Sequence, residues 1–113
     1  MMNPRPIQQF DAEALAVEIH ETRAQMGLAA AAQVAAWMRE RIDAAGRVRM
    51  IFAAAPSQDA LLAGLVAAPG IDWSRVEAFH MDEYLGLDAD HPASFRRYLA
   101  EHLYGLVGLR PEA

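Results

Sequence analysis

Between Leu15 and His20 apolar and polar side chains alternate, with Leu15, Val17 and Ile19 set against Ala16, Glu18 and His20. A period of two marks a strand with one solvated face, placed near a sheet edge. The period then changes. From Arg23 to Ala45, Met26, Ala30, Val34, Trp37, Met38 and Ile42 recur at helical spacing, with Thr22 placed to cap the start and Gly46 to stop it. Val48 to Ala55 is a nearly continuous apolar run, expected as a buried strand, and Pro56-Ser57-Gln58-Asp59 breaks it. Ala60 to Ala67 reads as a short helix ended near Pro69-Gly70. Arg75 to Met81 reads as a third strand. Leu87 to Pro92 is a polar loop, and Ser94 to Leu106 a last helix with Phe95, Leu99, Leu103 and Leu106 on one face.

Strand and helix therefore alternate three times, which favours a parallel sheet with right-handed crossovers. The expected fold is α/β: a Rossmann-like parallel sheet with helices on both faces. Residues 1–13, with Pro4 and Pro6, read as a lead-in, and residues 14–113 as the domain. Three strands leave at least one edge open. The tail Gly108 to Ala113 resembles a helix exit leading toward a further strand, so the expectation is an incomplete domain, the amino-terminal part of a longer chain.

Composition narrows the function. The chain has 113 residues, 54% of them hydrophobic, enough for one domain with a real core. A net charge of -5 argues against nucleic acid as a partner. There is no Cys, so disulfides and thiol nucleophiles are excluded. All 10 basic residues are Arg, which excludes a Schiff-base lysine. No signal-like block opens the chain, and the apolar stretch from Gly27 to Met38 is too short to span a bilayer. The expectation is a cytoplasmic protein without a membrane partner. The Trp37 and Met side chains are expected in the core, and no cofactor is called for.

The chemistry concentrates in Phe79-His80-Met81-Asp82-Glu83-Tyr84-Leu85-Gly86-Leu87. Here two adjacent carboxylates, Asp82 and Glu83, stand where an apolar run gives way to a loop. In open α/β sheets, ligands bind outside such strand ends. A carboxylate there can serve as a general base, although Asp at a strand end is also an ordinary turn cap. His80, Asp82, Glu83 and His91 are metal-ligand types, but their spacing names no metal, and none is expected. The turn Pro56–Asp59 follows a strand and opens a helix, the position of an anion site, with Ser57 and Gln58 as side-chain donors. No Gly opens the backbone there, and Asp59 opposes an anion. Arg96 and Arg97 are an anion clamp or a solvated helix face.

Together with His91-Pro92 and Ser94, the Phe79–Leu87 segment resembles the glucosamine-6-phosphate deaminase (isomerase) family. That family belongs to the superfamily that also holds the 6-phosphogluconolactonases. Its usual pattern is close to F-N-M-D-E-Y-x-G-L followed by H-P-x-S-Y. Here His80 replaces the commoner Asn and Phe95 the commoner Tyr. The resemblance runs from about Leu15 onward and covers only the amino-terminal part of a family member. It implies that Asp82 is the base moving a proton between C2 and C1 of an opened sugar phosphate, with Glu83 an orienting group. It places Ser57 and Gln58 in the phosphate-binding turn, where Ala53-Ala54-Ala55-Pro56 stands in for a Gly- and Thr-rich loop. The implied reaction is aldose–ketose isomerisation with loss of ammonia, on a small-molecule sugar phosphate, with room for a homo-oligomer in a full-length form. The family's ring-opening histidine segment would lie beyond residue 113. A 6-phosphogluconolactonase or related sugar-phosphate hydrolase, and a non-catalytic sugar-phosphate-binding module, are the alternatives. Met81 and Tyr84 favour the deaminase side.

Overall fold

The computed structural model describes residues 3–112. β1 (Gln8–Ala12) and β2 (Leu15–Ile19) form an antiparallel hairpin, and α1 (Arg23–Ala45) follows it. β3 (Val48–Phe52) leads through a 3₁₀ turn, Pro56–Gln58, into α2 (Asp59–Ala67). A second 3₁₀ turn, Trp73–Arg75, opens β4 (Val76–His80). α3 (Phe95–Leu99) runs on through a π-helical stretch, Ala100–Tyr104, into a last turn, Gly105–Val107.

The parallel α/β unit is β3–α2–β4, with Val48 opposite Val76 and Phe52 opposite His80. One face of this sheet, carrying Val48, Met50, Phe52, Val76 and Ala78, packs into the core with Met38, Leu62, Leu65, Leu99 and Leu103. The other face carries Arg49, Ile51 and Glu77, and Ile51 is 67% exposed. Among the described residues, helices thus cover one face of the sheet rather than both. Glu77 bridges Arg47 and Arg49 across the open face, at 3.2 and 2.8 Å.

The strand expected at Leu15–Ile19 forms, but not in the parallel sheet. Part of the lead-in, Gln8–Ala12, pairs with it instead, through a tight turn in which Glu13 takes a positive φ of 57°. Local pairing of neighbours two residues apart wins over a long-range edge. The hairpin meets α1 through Glu18, which accepts a bond from the Gln33 side chain at 3.1 Å.

α1 starts and stops as its ends require. Thr22 accepts a hydrogen bond from the Gln25 N–H, and Gly46 closes the helix in the left-handed region at φ 78°. The buried face of α1 is made of small residues and Met38, not of the largest apolar side chains. Gly27, Ala31 and Ala35 are buried, whereas Trp37 and Met26 are each 46% exposed, which corrects their expected place in the core. The cause is the close crossing of α1 and α2. A Cβ on Gly27 would lie 2.5 Å from the Ala60 Cβ, and one on Gly64 2.7 Å from the Ala31 Cβ. Only a seam of Gly and Ala lets the two backbones approach so near.

A second correction concerns α3. Leu99 and Leu103 are buried as expected, but Leu106 is 63% exposed. The π-helical stretch inserts extra residues per turn, so the apolar stripe rotates and Tyr104 and Val107 take the inward positions.

The α1–α2 seam yields a prediction. Ala is favoured over Gly in a helix by about 1 kcal/mol. Overpacking costs about 1–3 kcal/mol, and at Gly27 the obstacle includes the Ala60 backbone. Gly27→Ala should therefore lower stability by up to about 2 kcal/mol, read as an earlier urea unfolding midpoint. A later midpoint would show that the seam has slack.

Candidate functional site

The register that pairs Phe52 with His80 brings two loops off the same end of the parallel sheet. The Met81 N–H extends the ladder by one bond to the Phe52 carbonyl, at 2.9 Å. Beyond it, the 53–59 turn leaves β3 and the 81–87 loop leaves β4. This is the carboxyl end of parallel strands, where such sheets place their ligands.

Glu83 is the most heavily bonded side chain of the site. Its Oε1 accepts from the Tyr84 and Phe95 N–H groups, at 2.9 and 3.0 Å. Its Oε2 accepts from the Arg96 N–H and Nε–H, both at 2.9 Å, and from the Ser94 hydroxyl at 3.1 Å. The carboxylate thus occupies the amino terminus of α3, where unpaired N–H groups and the helix dipole favour negative charge. Ser94, 1% exposed, also accepts from the Arg97 N–H as the helix cap. Burial works to raise the Glu83 pKa. The N–H groups of Phe95, Arg96 and Tyr84 and the Arg96 guanidinium outweigh it and bring the value down to about 2.

The loop between Glu83 and α3 is tied at several points. Arg96 Nη2 donates to the Leu87 carbonyl at 2.6 Å, and Arg97 bonds both the Asp90 carbonyl and Glu101. His91 Nδ1 accepts from the Ala93 N–H, and the His91 carbonyl from the Ser94 N–H. Arg96 and Arg97 thus hold the loop through these bonds. Asp82, one residue before the clamp, is exposed. Glu83 fixes the backbone beside it and leaves its side chain in solvent.

On the β3 side, Ser57 is exposed in the 3₁₀ turn. Gln58 is half-buried, and its side-chain amide donates back to the Ala53 carbonyl. Tyr98 reaches this turn from α3, with its hydroxyl 2.8 Å from the Ala55 carbonyl and 2.5 Å from Asp59 Oδ1. Neither Tyr98 nor its pairing with Asp59 was expected. The only signal was a polar-headed aromatic one turn beyond the Ser94 cap. No three His, Cys, Asp or Glu side chains gather as a metal site among the described residues. No helix there is long and apolar enough to cross a membrane.

A wide cleft, ≈ 1170 Å³, is lined by His80, Glu83, Arg96, Tyr104 and Arg110 among others, and not by Asp82, Ser57 or Gln58. The rings of His80 and Tyr104 meet edge-on with centroids 5.4 Å apart. Burial lowers the His80 pKa and raises that of Tyr104 to about 12. His80 Nδ1 and the Tyr104 hydroxyl lack hydrogen-bond partners within the described chain.

The Glu83 clamp sets a pH dependence. Its folded-state pKa of about 2 lies below the usual 4.5, so its stabilisation is complete above 4.5 and is lost as pH falls through about 2. Glu83→Gln should lower the urea midpoint at pH 7. The gap from the unsubstituted chain should narrow steadily between pH 4.5 and 2. A gap constant over that range would mean that the carboxylate's charge does not stabilise the fold.

Relatives can be set beside this geometry. No protein-family model matches the chain. Glucosamine-6-phosphate deaminase 2 of Giardia intestinalis is 43% identical over 51 residues, 45% of this chain and 19% of that protein. The glucosamine-6-phosphate deaminase of Arthrobacter sp. (strain FB24) is 34% identical over 87 residues, 77% of this chain and 33% of that protein. In fold, the 6-phosphogluconolactonase of Shewanella baltica OS155 matches with a TM-score of 0.68 at 29% identity, over 74% of this chain and 35% of that one. The chain spans a third or less of the length of these two curated relatives. Over that part, the chain resembles the glucosamine-6-phosphate deaminase (isomerase) family in sequence and the 6-phosphogluconolactonases of the same superfamily in fold.

Proposed function

We propose that this chain supplies the proton-transfer half of a glucosamine-6-phosphate deaminase-like site. The observation that carries the reading is the placement of Asp82, exposed at the carboxyl end of β4 beside a backbone held by Glu83. An exposed carboxylate on a fixed backbone suits a base that must meet a substrate carbon. Asp82 takes the proton from C2 of the opened amino-sugar phosphate and returns it at C1, leaving an imine at C2 that water hydrolyses to fructose 6-phosphate with release of ammonia. Glu83 positions the loop. With its carboxylate saturated by five donors, it has no free capacity to act as the base. The turn bearing Ser57 and Gln58 takes the phosphate side, with Ser57 the freer of the two, since the Gln58 amide is bonded within the turn.

The substrate on this reading is a small-molecule sugar phosphate, handled in the cytoplasm without a cofactor, and the full-length form is open to homo-oligomerisation. A lactonase activity is the second reading, favoured by the fold match to a 6-phosphogluconolactonase. Met81 and Tyr84 beside the acid pair, and relatives named as deaminases, weigh toward the first.

The test is solvent-deuterium exchange at the substrate C2 and C1 by the full-length protein carrying this sequence. Asp82→Asn should slow exchange by roughly 10²–10⁴-fold. Undiminished exchange in that variant would remove Asp82 from the mechanism. Hydrolysis of 6-phosphogluconolactone without any exchange would transfer the site to the second reading.

A further inference from the structure

α3 touches both loops at the sheet end. Its amino terminus is clamped to Glu83, and one turn later Tyr98 meets the turn that leaves β3. The Tyr98 hydroxyl has a single proton and two acceptors, the Ala55 carbonyl at 2.8 Å and Asp59 Oδ1 at 2.5 Å. The one proton is shared between them in a three-centre bond, with Asp59 the nearer acceptor. His102 completes the group. Its ring stacks on Tyr98 with centroids 4.2 Å apart, and its Nε2 lies 3.8 Å from Asp59 Oδ1. Burial, and then the Asp59 carboxylate, push the Tyr98 pKa up to about 12, so the hydroxyl keeps its proton.

Asp59 is the awkward residue of the turn. It stands at the amino terminus of α2, where the helix dipole welcomes its charge but where that charge would repel an incoming anion. Pro56 stiffens the turn, and the Gln58 N–H bonds the Ala55 carbonyl at 3.0 Å. The same carbonyl receives Tyr98. The hydroxyl is thus joined to both ends of the turn, Ala55 and Asp59.

We infer that Tyr98 is a positioning residue for the 55–59 turn, fixing its conformation through Ala55 and engaging the Asp59 carboxylate so that the turn can accept an anionic group. This rests on the reading of the turn as the phosphate side of the site. It makes α3 a brace that sets one substrate loop relative to the other.

The test uses the ¹⁵N-labelled chain with Tyr98→Phe, Asp59→Asn and the double variant, and inorganic phosphate as the probe. Without ligand, Tyr98→Phe should speed exchange of the Gln58 amide by about tenfold, the scale of one hydrogen bond to a charged group. The Phe95 and Arg96 amides at the Glu83 clamp should stay as they were, showing an intact α3. With phosphate, the Ser57–Asp59 amides should shift, and Tyr98→Phe should need about tenfold more phosphate for the same response. Adding Asp59→Asn to Tyr98→Phe should restore the original midpoint, a rescue that a purely structural role does not provide. Unchanged Gln58 exchange and an unchanged phosphate midpoint in Tyr98→Phe would overturn the inference. Faster exchange in Tyr98→Phe, with a turn that ignores phosphate in every variant, would leave the brace standing and remove the phosphate reading alone.

Discussion

One carboxylate holds the functional end of this molecule together. Glu83 accepts from three backbone N–H groups, a serine hydroxyl and a guanidinium, and all of these but Tyr84 belong to the start of α3. A charged group only partly shielded from water is stable there because every lone pair faces a donor. The consequence is mechanical. β4 ends at His80 and the loop beyond it is largely exposed, yet the backbone at Asp82 cannot wander, since the next residue is anchored to a helix. Ser94 and Arg96 serve the clamp from the other side, which explains why neither stands free.

The rest of the fold delivers that helix to its place. The Gly and Ala seam between α1 and α2 brings the two helices close, and their apolar residues, with Leu99 and Leu103 of the last helix, fill the buried face of the parallel pair. The parallel register of β3 and β4 then aligns two loop exits at one sheet end, and α3 spans both. Packing sets the distance between the loops, and hydrogen bonds set their conformation. The opposite face of the sheet, with Ile51 and the Arg47–Glu77–Arg49 ion bridge, takes no part in this arrangement.

Much of this was legible in the residues. The period change at Thr22, the Gly46 stop, the breaker Pro56–Asp59 and the Ser94 cap locate elements because each reflects a local rule of backbone geometry. The motif around Asp82 and Glu83 pointed to the family resembled, and the curated relatives carry the same name. What failed was long-range. Trp37 obeys the helical period but sits outside, because the period cannot tell that a close helix crossing excludes large side chains. Leu106 obeys it too, and a π-helical stretch rotates it outward. The pairing of Gln8–Ala12 with Leu15–Ile19 drew the expected edge strand out of the parallel sheet. The Tyr98–Asp59 contact joins residues 39 apart, and no spacing rule connects them.

The functional reading gives the two adjacent acids different work. Asp82 is free and Glu83 is committed, although the sequence presents them as equals. That division is the central claim, and it depends on the clamp being formed in solution. The most direct measurement is the carboxyl ¹³C titration of Glu83 in the intact chain by NMR. The account predicts a midpoint at about 2. A midpoint near the ordinary 4.5 would mean that Glu83 is not held by the α3 amino terminus, and the assignment of separate roles to the two carboxylates would fall with it.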